Sequence, residues 1–219
     1  MTTTQDPVPA RARAHIRYTL ADGTPVPGVT TVLGVLNKPA LVPWANRLGL
    51  EGIKVSEYVD HLASIGTLAH YLILCHLTQA KPELAEWTAE QVDRAENALI
   101  SFFEWQKGHD LKPILCEAAL VSEAHRYGGT IDCYGLLDGV PALIDFKTSG
   151  RIYPEHLYQV AAYADLLVEH HHPVDQVRIL QIGRDPTESF SERVLPTYDK
   201  HLALFHHALA IYQLKKVLE

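Results

Sequence analysis

No stretch of this chain approaches the ~18 consecutive apolar residues that a membrane-crossing helix needs, and the opening segment from Met1 to Pro7 has neither the basic nor the apolar block of a secretion signal. A cytoplasmic protein without membrane contact is expected. Cysteine is scarce: Cys75, Cys116 and Cys133 are too few for a disulfide framework and too far apart for a CxxC metal knuckle. They read as buried apolar residues. Positive charge is also in deficit, with 19 Lys and Arg against 26 Asp and Glu and a formal net charge of −7. That excludes a protein held on DNA by bulk attraction alone, but not an enzyme of nucleic acids, for which the distribution of charge matters.

What is present is an ordinary globular composition: 47% apolar and 21% charged over 219 residues. These values fit one domain and exclude disordered and fibrous chains. Residues 1–28 are polar and rich in Pro and Gly and are read as an N-terminal arm. Residues 29–219 are read as a single domain, with a helical part at about 29–110, a sheet core at about 111–198 and a C-terminal helix at 199–219.

In the helical part, Val59, Leu62, Gly66, His70, Ile73 and Leu77 recur at three- and four-residue spacing and form one stripe. Thr88 and Gln91 have capping-box spacing, so a second helix is expected to open at Thr88. After Pro113 the pattern shortens, and 114–121, 129–137 and 140–148 read as strands. A helix follows at about 154–171, with Leu157, Val160, Ala161, Ala164 and Val168 inward. Strands at 176–182 and 189–195 precede the last helix. The order implies an α/β or α+β fold, a central mixed sheet flanked by helices.

Asp138-Gly139, between Leu137 and Val140, is a strong signal for a two-residue hairpin turn. Pairing outward from it sets Leu137 against Val140, Leu136 against Pro141 and, further along, Asp132 against Asp145. The last would be a non-hydrogen-bonded pair, with Cα atoms about 4.5 Å apart. Like charges so placed destabilise a sheet unless a proton or a cation intervenes. Lys147 shares the face of Asp145 and supplies one positive charge. The three residues fit a surface acid pair neutralised by lysine and water, or an oxygen-ligand site for a hard divalent cation. Their place at the end of the apolar run Ala142-Leu143-Ile144 favours the second.

The elements Gly129-Thr130-Ile131-Asp132, Ile144-Asp145-Phe146-Lys147-Thr148, and Gln159 with Tyr163 four apart resemble the PD-(D/E)XK nuclease superfamily. The RecB-like and bacteriophage exonuclease branch is the nearest in pattern, since Gly66-Thr67-Leu68-Ala69-His70 and Val29-Thr30-Thr31-Val32-Leu33 resemble its upstream segments. The resemblance implies a restriction-endonuclease-like core and a DNA nuclease, an exonuclease rather than an endonuclease, dependent on Mg²⁺ or Mn²⁺. Asp132, Asp145, the backbone carbonyl of Phe146 and His70 would be metal ligands. Glu117 matches a further acidic position, and reads equally as a solvated strand carboxylate. Lys147 would orient or deprotonate the attacking water, with Gln159 and Tyr163 positioning it or the DNA backbone. Arg126 and Arg151 are possible phosphate contacts, or plain solvated arginines.

The implied partner is DNA, with recombination or replication proteins as further partners. The setting would be repair, recombination or phage replication in the cytoplasm of a bacterial or phage-infected cell. Relatives with an iron–sulfur cluster use four cysteines, so none is expected here. Two rival readings stand beside this one. A catalytically silent DNA-binding accessory would keep the fold without cleavage. A zinc or His-Asp phosphohydrolase could draw on 13 histidines, among them His109-Asp110, His170-His171-His172 and His206-His207. His109-Asp110, however, falls in a connection, and that enzyme class is all-helical.

Overall fold

A computed structural model describes residues 16–219; residues 1–15 of the expected arm lie outside the described residues. The chain opens with a small hairpin, β1 (Tyr18–Thr19) and β2 (Pro25–Val26). Helices α1 (Val29–Leu33), α2 (Leu41–Leu50), α3 (Val55–Thr78) and α4 (Ala89–Gln106) follow. Then come β3 (Leu111–Ser122), β4 (Tyr127–Leu137), β5 (Val140–Lys147), α5 (Pro154–Glu169), β6 (Gln176–Gln181), β7 (Ser191–Leu195) and α6 (Asp199–Leu218). The fold is mixed α/β, with a five-stranded sheet in the order β3-β4-β5-β6-β7 and helices on both faces. Within this sheet, among the described residues, only the β5–β6 pair is parallel, joined through α5; the other neighbouring strands are antiparallel.

Local signals place the helices. Thr88 accepts the Gln91 N–H at 3.2 Å while the Gln91 side chain accepts the Thr88 N–H at 3.0 Å, a complete capping box. The same Gln91 donates to Ser64 Oγ at 2.8 Å and ties α4 to α3. The α3 stripe buries Ile65, Leu68, Ala69, Leu72 and Ile73, whereas Val59 near its start is 44% exposed. In α5, Val160, Ala161 and Ala164 are buried, but Val168 is half exposed at the frayed end of the inward face. His170 at the α5 C-terminus contacts the Val121 carbonyl, and His171 turns the chain in a left-handed conformation, φ 64°.

Two apolar layers sandwich the sheet. On one face α1, α5 and α6 pack over Ile131, Leu143, Val177 and Ile179. On the other, α3 and α4 pack over Cys133, Ile144, Phe146 and Leu180. The β4–β5 hairpin turns at Asp138 and Gly139, both at positive φ (54° and 83°), as a two-residue primed turn requires. His109 and Asp110 clasp this turn: His109 Nδ1 lies 2.7 Å from Asp138 Oδ2, and the Asp110 N–H donates to Oδ1 at 2.8 Å. The dipeptide is therefore part of a hairpin clasp.

The β4–β5 ladder keeps the register set by that turn, from Leu137↔Val140 to Cys133↔Ile144. It ends there, one step short of Asp132 and Asp145. In an even strand Ile131 and Cys133 would lie on one face, yet they join opposite layers. The faces of β4 exchange at Asp132. Across from it on β3, Cys116 pairs with Cys133 and Ala118 with Ile131, and the residue between them, Glu117, has φ 48°. A left-handed conformation costs a non-glycine residue about 1 kcal/mol, and such irregularities re-aim a side chain. Cys116 and Cys133, unrelated in spacing, are thus cross-strand partners, and a thiol hydrogen bond between them lowers the Cys116 pKa while raising that of Cys133.

Candidate metal centre

The local break in β4 decides what can meet at its edge. Asp145 and Lys147 alternate with Ile144 and Phe146, so they share the face covered by α5. His70 belongs to α3, on the opposite face, and its ring packs edge-on to Phe146 with centroids 5.9 Å apart. Because β4 leaves β5 at Asp132, side chains from both layers reach the same gap.

Around that gap, His70 Nδ1 lies 3.3 Å from Asp132 Oδ1 and 3.9 Å from Glu117 Oε1. One ligand atom from each of His70, Glu117 and Asp132 falls within 4.8 Å of the others. The second Asp132 oxygen accepts the Phe146 N–H at 2.7 Å, which joins β4 to β5 where the backbone ladder has ended. Asp145, only 1% exposed, stands beside the cluster. Lys147 Nζ is 2.6 Å from its Oδ2, while its Oδ1 is buried without a hydrogen-bond donor among the described residues. Such an orphaned oxygen beside two further carboxylates and an imidazole fits a hard divalent cation. The backbone carbonyl of Phe146 belongs to the same strand end.

The two aspartates differ sharply in their electrostatics. Burial pushes the Asp145 carboxyl up to about 6, against the pull of Lys147 and with the Asp132 charge adding to the rise. Burial acts on Asp132 too, but the charge and hydrogen bond of His70, then Lys147 and the Phe146 N–H, hold its pKa below the ordinary value. For His70, burial alone would favour the neutral ring; Asp132 and then Glu117 overcome it and carry the pKa up to about 9. Without metal, His70 is therefore an imidazolium at neutral pH, paired with Asp132.

Small residues admit these contacts. A Cβ on Gly66, one turn before His70, would come within 2.7 Å of Thr148 Oγ1, so with Thr148 in place α3 lies this close to the end of β5 because residue 66 is glycine. On α5, Gln159 Nε2 donates to the Tyr163 hydroxyl at 2.7 Å. Burial and then the Asp145 charge keep the Tyr163 phenol protonated well beyond its usual range.

The two candidate phosphate-contacting arginines have other neighbours. Arg151 sits in the β5–α5 connection, its guanidinium 4.8 Å from the Tyr153 ring centroid. Arg126 forms the β3–β4 turn at φ 60°, and its charge acts on Asp22 in the β1–β2 turn.

Glu117, matched in sequence to an acidic position, reaches the cluster through a left-handed backbone that its neighbours do not announce. Other groups at the site carried no sequence signal. His156 lies in the first turn of α5; burial and the Lys147 charge push its pKa down to about 4, so it is neutral at physiological pH. A cleft of about 630 Å³ opens beside Glu117, walled by Tyr18, Thr30, Thr31, Thr130 and Tyr163. The Tyr18 hydroxyl lies 2.9 Å from Thr130 Oγ1 and fastens the small hairpin to β4. Among the described residues no helix is long and apolar enough to cross a membrane.

No protein-family profile and no curated protein matches the chain. Among solved structures, it is similar to the alkaline exonuclease LHK-Exo from Laribacter hongkongensis, with a TM-score of 0.41 and 13% identity, over 70% of this chain and 84% of that one. The complex of LHK-Exo with dAMP aligns equally, at 0.41 and 13% over 71% and 84%. SSO0001 aligns at 0.31 and 12%, over 72% and 87%. Likeness at this level says nothing of activity, which rests on the residues of the site itself.

Proposed function

We propose that this chain is a divalent-metal-dependent deoxyribonuclease that hydrolyses phosphodiester bonds in DNA with Mg²⁺ or Mn²⁺. The observation that carries the reading is the meeting of His70, Glu117 and Asp132 with a buried Asp145 that has an orphaned oxygen, all beside one lysine. Asp132, Asp145, Glu117, His70 and the Phe146 carbonyl would hold the cation. Bound there, it would lower the pKa of a water ligand and neutralise phosphate oxygens.

The chain's own groups do the rest. Lys147 puts a positive charge where the attacking oxygen sheds its proton and where charge builds on the phosphate. Gln159 and the protonated Tyr163, on the helix that covers the same face, supply fixed hydrogen-bonding groups. The cleft beside Glu117 offers room for a terminal nucleotide, and Arg151 and Arg126 are assigned phosphate contacts. Arg126 is six residues from Asp132, about 20 Å along the chain at strand spacing, so it can serve only a strand that runs past the site. Exonuclease action is favoured because α3 and the β1–β2 hairpin wall the site on two sides. A setting in repair, recombination or phage replication follows from that activity.

The test uses end-labelled linear DNA and closed circular DNA, single and double stranded, with Mg²⁺, Mn²⁺ or EDTA. Linear DNA is degraded with metal and spared with EDTA; Lys147→Ala slows cleavage by about 10²-fold or more. Cutting of closed circles would replace the exonuclease reading with a structure-specific endonuclease. Intact linear DNA under every metal condition would sink the enzyme reading, and retention of that DNA in a gel shift would then assign a silent accessory.

A further inference from the structure

A second group of metal-competent side chains gathers away from the carboxylate gap. His125 comes from the β3–β4 turn, Asp165 from α5 and His206 from α6, and one ligand atom of each lies within 4.8 Å of the others. His206 Nε2 is 3.6 Å from Asp165 Oδ2, and the two imidazole rings have centroids 4.5 Å apart. In a tetrahedral site with metal–ligand bonds of about 2.0–2.1 Å, neighbouring ligand atoms stand about 3.3 Å apart. The cluster is already close to that spacing.

The carboxylate at its centre is held in place from behind. Tyr127, fully buried at 0% exposure, donates its hydroxyl to Asp165 Oδ2 at 2.8 Å and also lies 3.1 Å from the Ala162 carbonyl. A ligating carboxylate that is itself hydrogen-bonded is what orients a built metal site. On α5, Asp165 is two residues beyond Tyr163, about 200° around the helix, so the cluster and the carboxylate gap use different sides of α5.

We propose that His125, Asp165 and His206 form a second metal site, specific for a borderline divalent ion such as Zn²⁺. Two imidazoles and one carboxylate favour such an ion over Mg²⁺, which prefers oxygen donors and keeps its waters. The three ligands come from separate elements, so the ion clamps α6 to α5 and to the β3–β4 turn. Among described residues, α6 is anchored chiefly through Phe205, Ala208 and Leu209, and its far end leaves Leu214, Val217 and Leu218 exposed. A clamp at His206 secures the helix near its middle, independently of whether the carboxylate gap supports cleavage.

The experiment uses the untagged, metal-stripped full chain in millimolar Mg²⁺, which occupies oxygen-rich sites. Calorimetric titration with Zn²⁺ is expected to show one equivalent bound. His125→Ala and His206→Ala each weaken it at least tenfold, while His207→Ala, altering the exposed neighbour, does not. Co²⁺ in place of Zn²⁺ is expected to give the visible absorption of a tetrahedral centre in the wild type and in neither ligand variant. Zn²⁺ raises the thermal midpoint of the wild type and leaves that of the ligand variants unmoved. His125 is exposed in a turn, so its variant keeps the fold and remains a fair test if His206→Ala does not. Wild-type Zn²⁺ affinity in His125→Ala overturns the proposal. No uptake by the wild type, or loss of uptake in His207→Ala, does the same.

Discussion

Replacing Asp145 by Asn is expected to stabilise the protein when metal is withheld. Folding carries this carboxyl into the sheet, where burial lifts its pKa from an ordinary 3.8 to about 6. The folded state therefore binds more protons than the unfolded state between those values, and stability falls as pH rises through that window. Once both states are ionised the cost is about 3 kcal/mol. Asn keeps the shape without the charge, so in EDTA at pH 8 the variant should gain up to that amount, and its thermal midpoint should rise by roughly 6–10 °C. Asp132→Asn is expected to move the other way. Its carboxylate pairs with His70, whose pKa rises from 6.5 to about 9. That pairing contributes its full stability below pH 6.5 and loses it as pH rises through 9.

Urea denaturation in EDTA at intervals from pH 4 to pH 10 measures both effects. Wild type should lose stability in two stages, near pH 4–6 and near pH 6.5–9. Asp145→Asn should abolish the first stage and keep the second; His70→Gln should abolish the second alone. An Asp145→Asn variant no more stable than wild type at pH 8, with its first stage intact, would refute the claim that burial of this charge is uncompensated.

Other outcomes follow from the same geometry. Because His70 is an imidazolium without metal, Mn²⁺ binding at pH 7.5 should release about one proton, measured by calorimetry in buffers of different ionisation enthalpy. Release unchanged in His70→Gln would remove His70 from the ligand set. Gly66→Ala should destabilise by about 1–3 kcal/mol through the clash with Thr148, and Thr148→Ala should recover most of that in the double variant, as read from denaturant midpoints. Thr88→Ala should cost about 1 kcal/mol by opening the α4 capping box, and an unchanged midpoint would count against that role.

What could be read from the sequence is what short-range chemistry dictates. Asp138-Gly139 specified the turn, and the turn specified each partner from Leu137↔Val140 to Cys133↔Ile144. Thr88 and Gln91 placed the start of α4 because a capping box needs only residues three apart. The reading stopped where the backbone ceases to be regular. Alternation carried past Cys133 treats Asp132 and Asp145 as equivalent charges facing each other, whereas the exchange of faces at Asp132 gives one of them to His70 and leaves the other to Lys147. The left-handed φ of Glu117, the pairing of Cys116 with Cys133, and the approach of His125, Asp165 and His206 all arise from packing between distant segments. Nothing local in the sequence encodes them.

The gap in the sheet also has a consequence for how the chain folds. Asp132 and Asp145 are joined by one tight hairpin, so their approach closes a loop of 13 residues; His70 must close one of 62 to reach Asp132. By chain entropy the second closure costs about 1.4 kcal/mol more. The hairpin can thus assemble first, and the docking of α3 then delivers the imidazolium. Pulsed hydrogen exchange at the Phe146 N–H, bonded to Asp132, times the first event, and the ring resonances of His70 time the second. If His70 reached its final environment before the Phe146 amide was protected, the order would be reversed. Until α3 docks, Lys147 is the one cation the hairpin itself offers to its acids, and Asp132 waits for its partner.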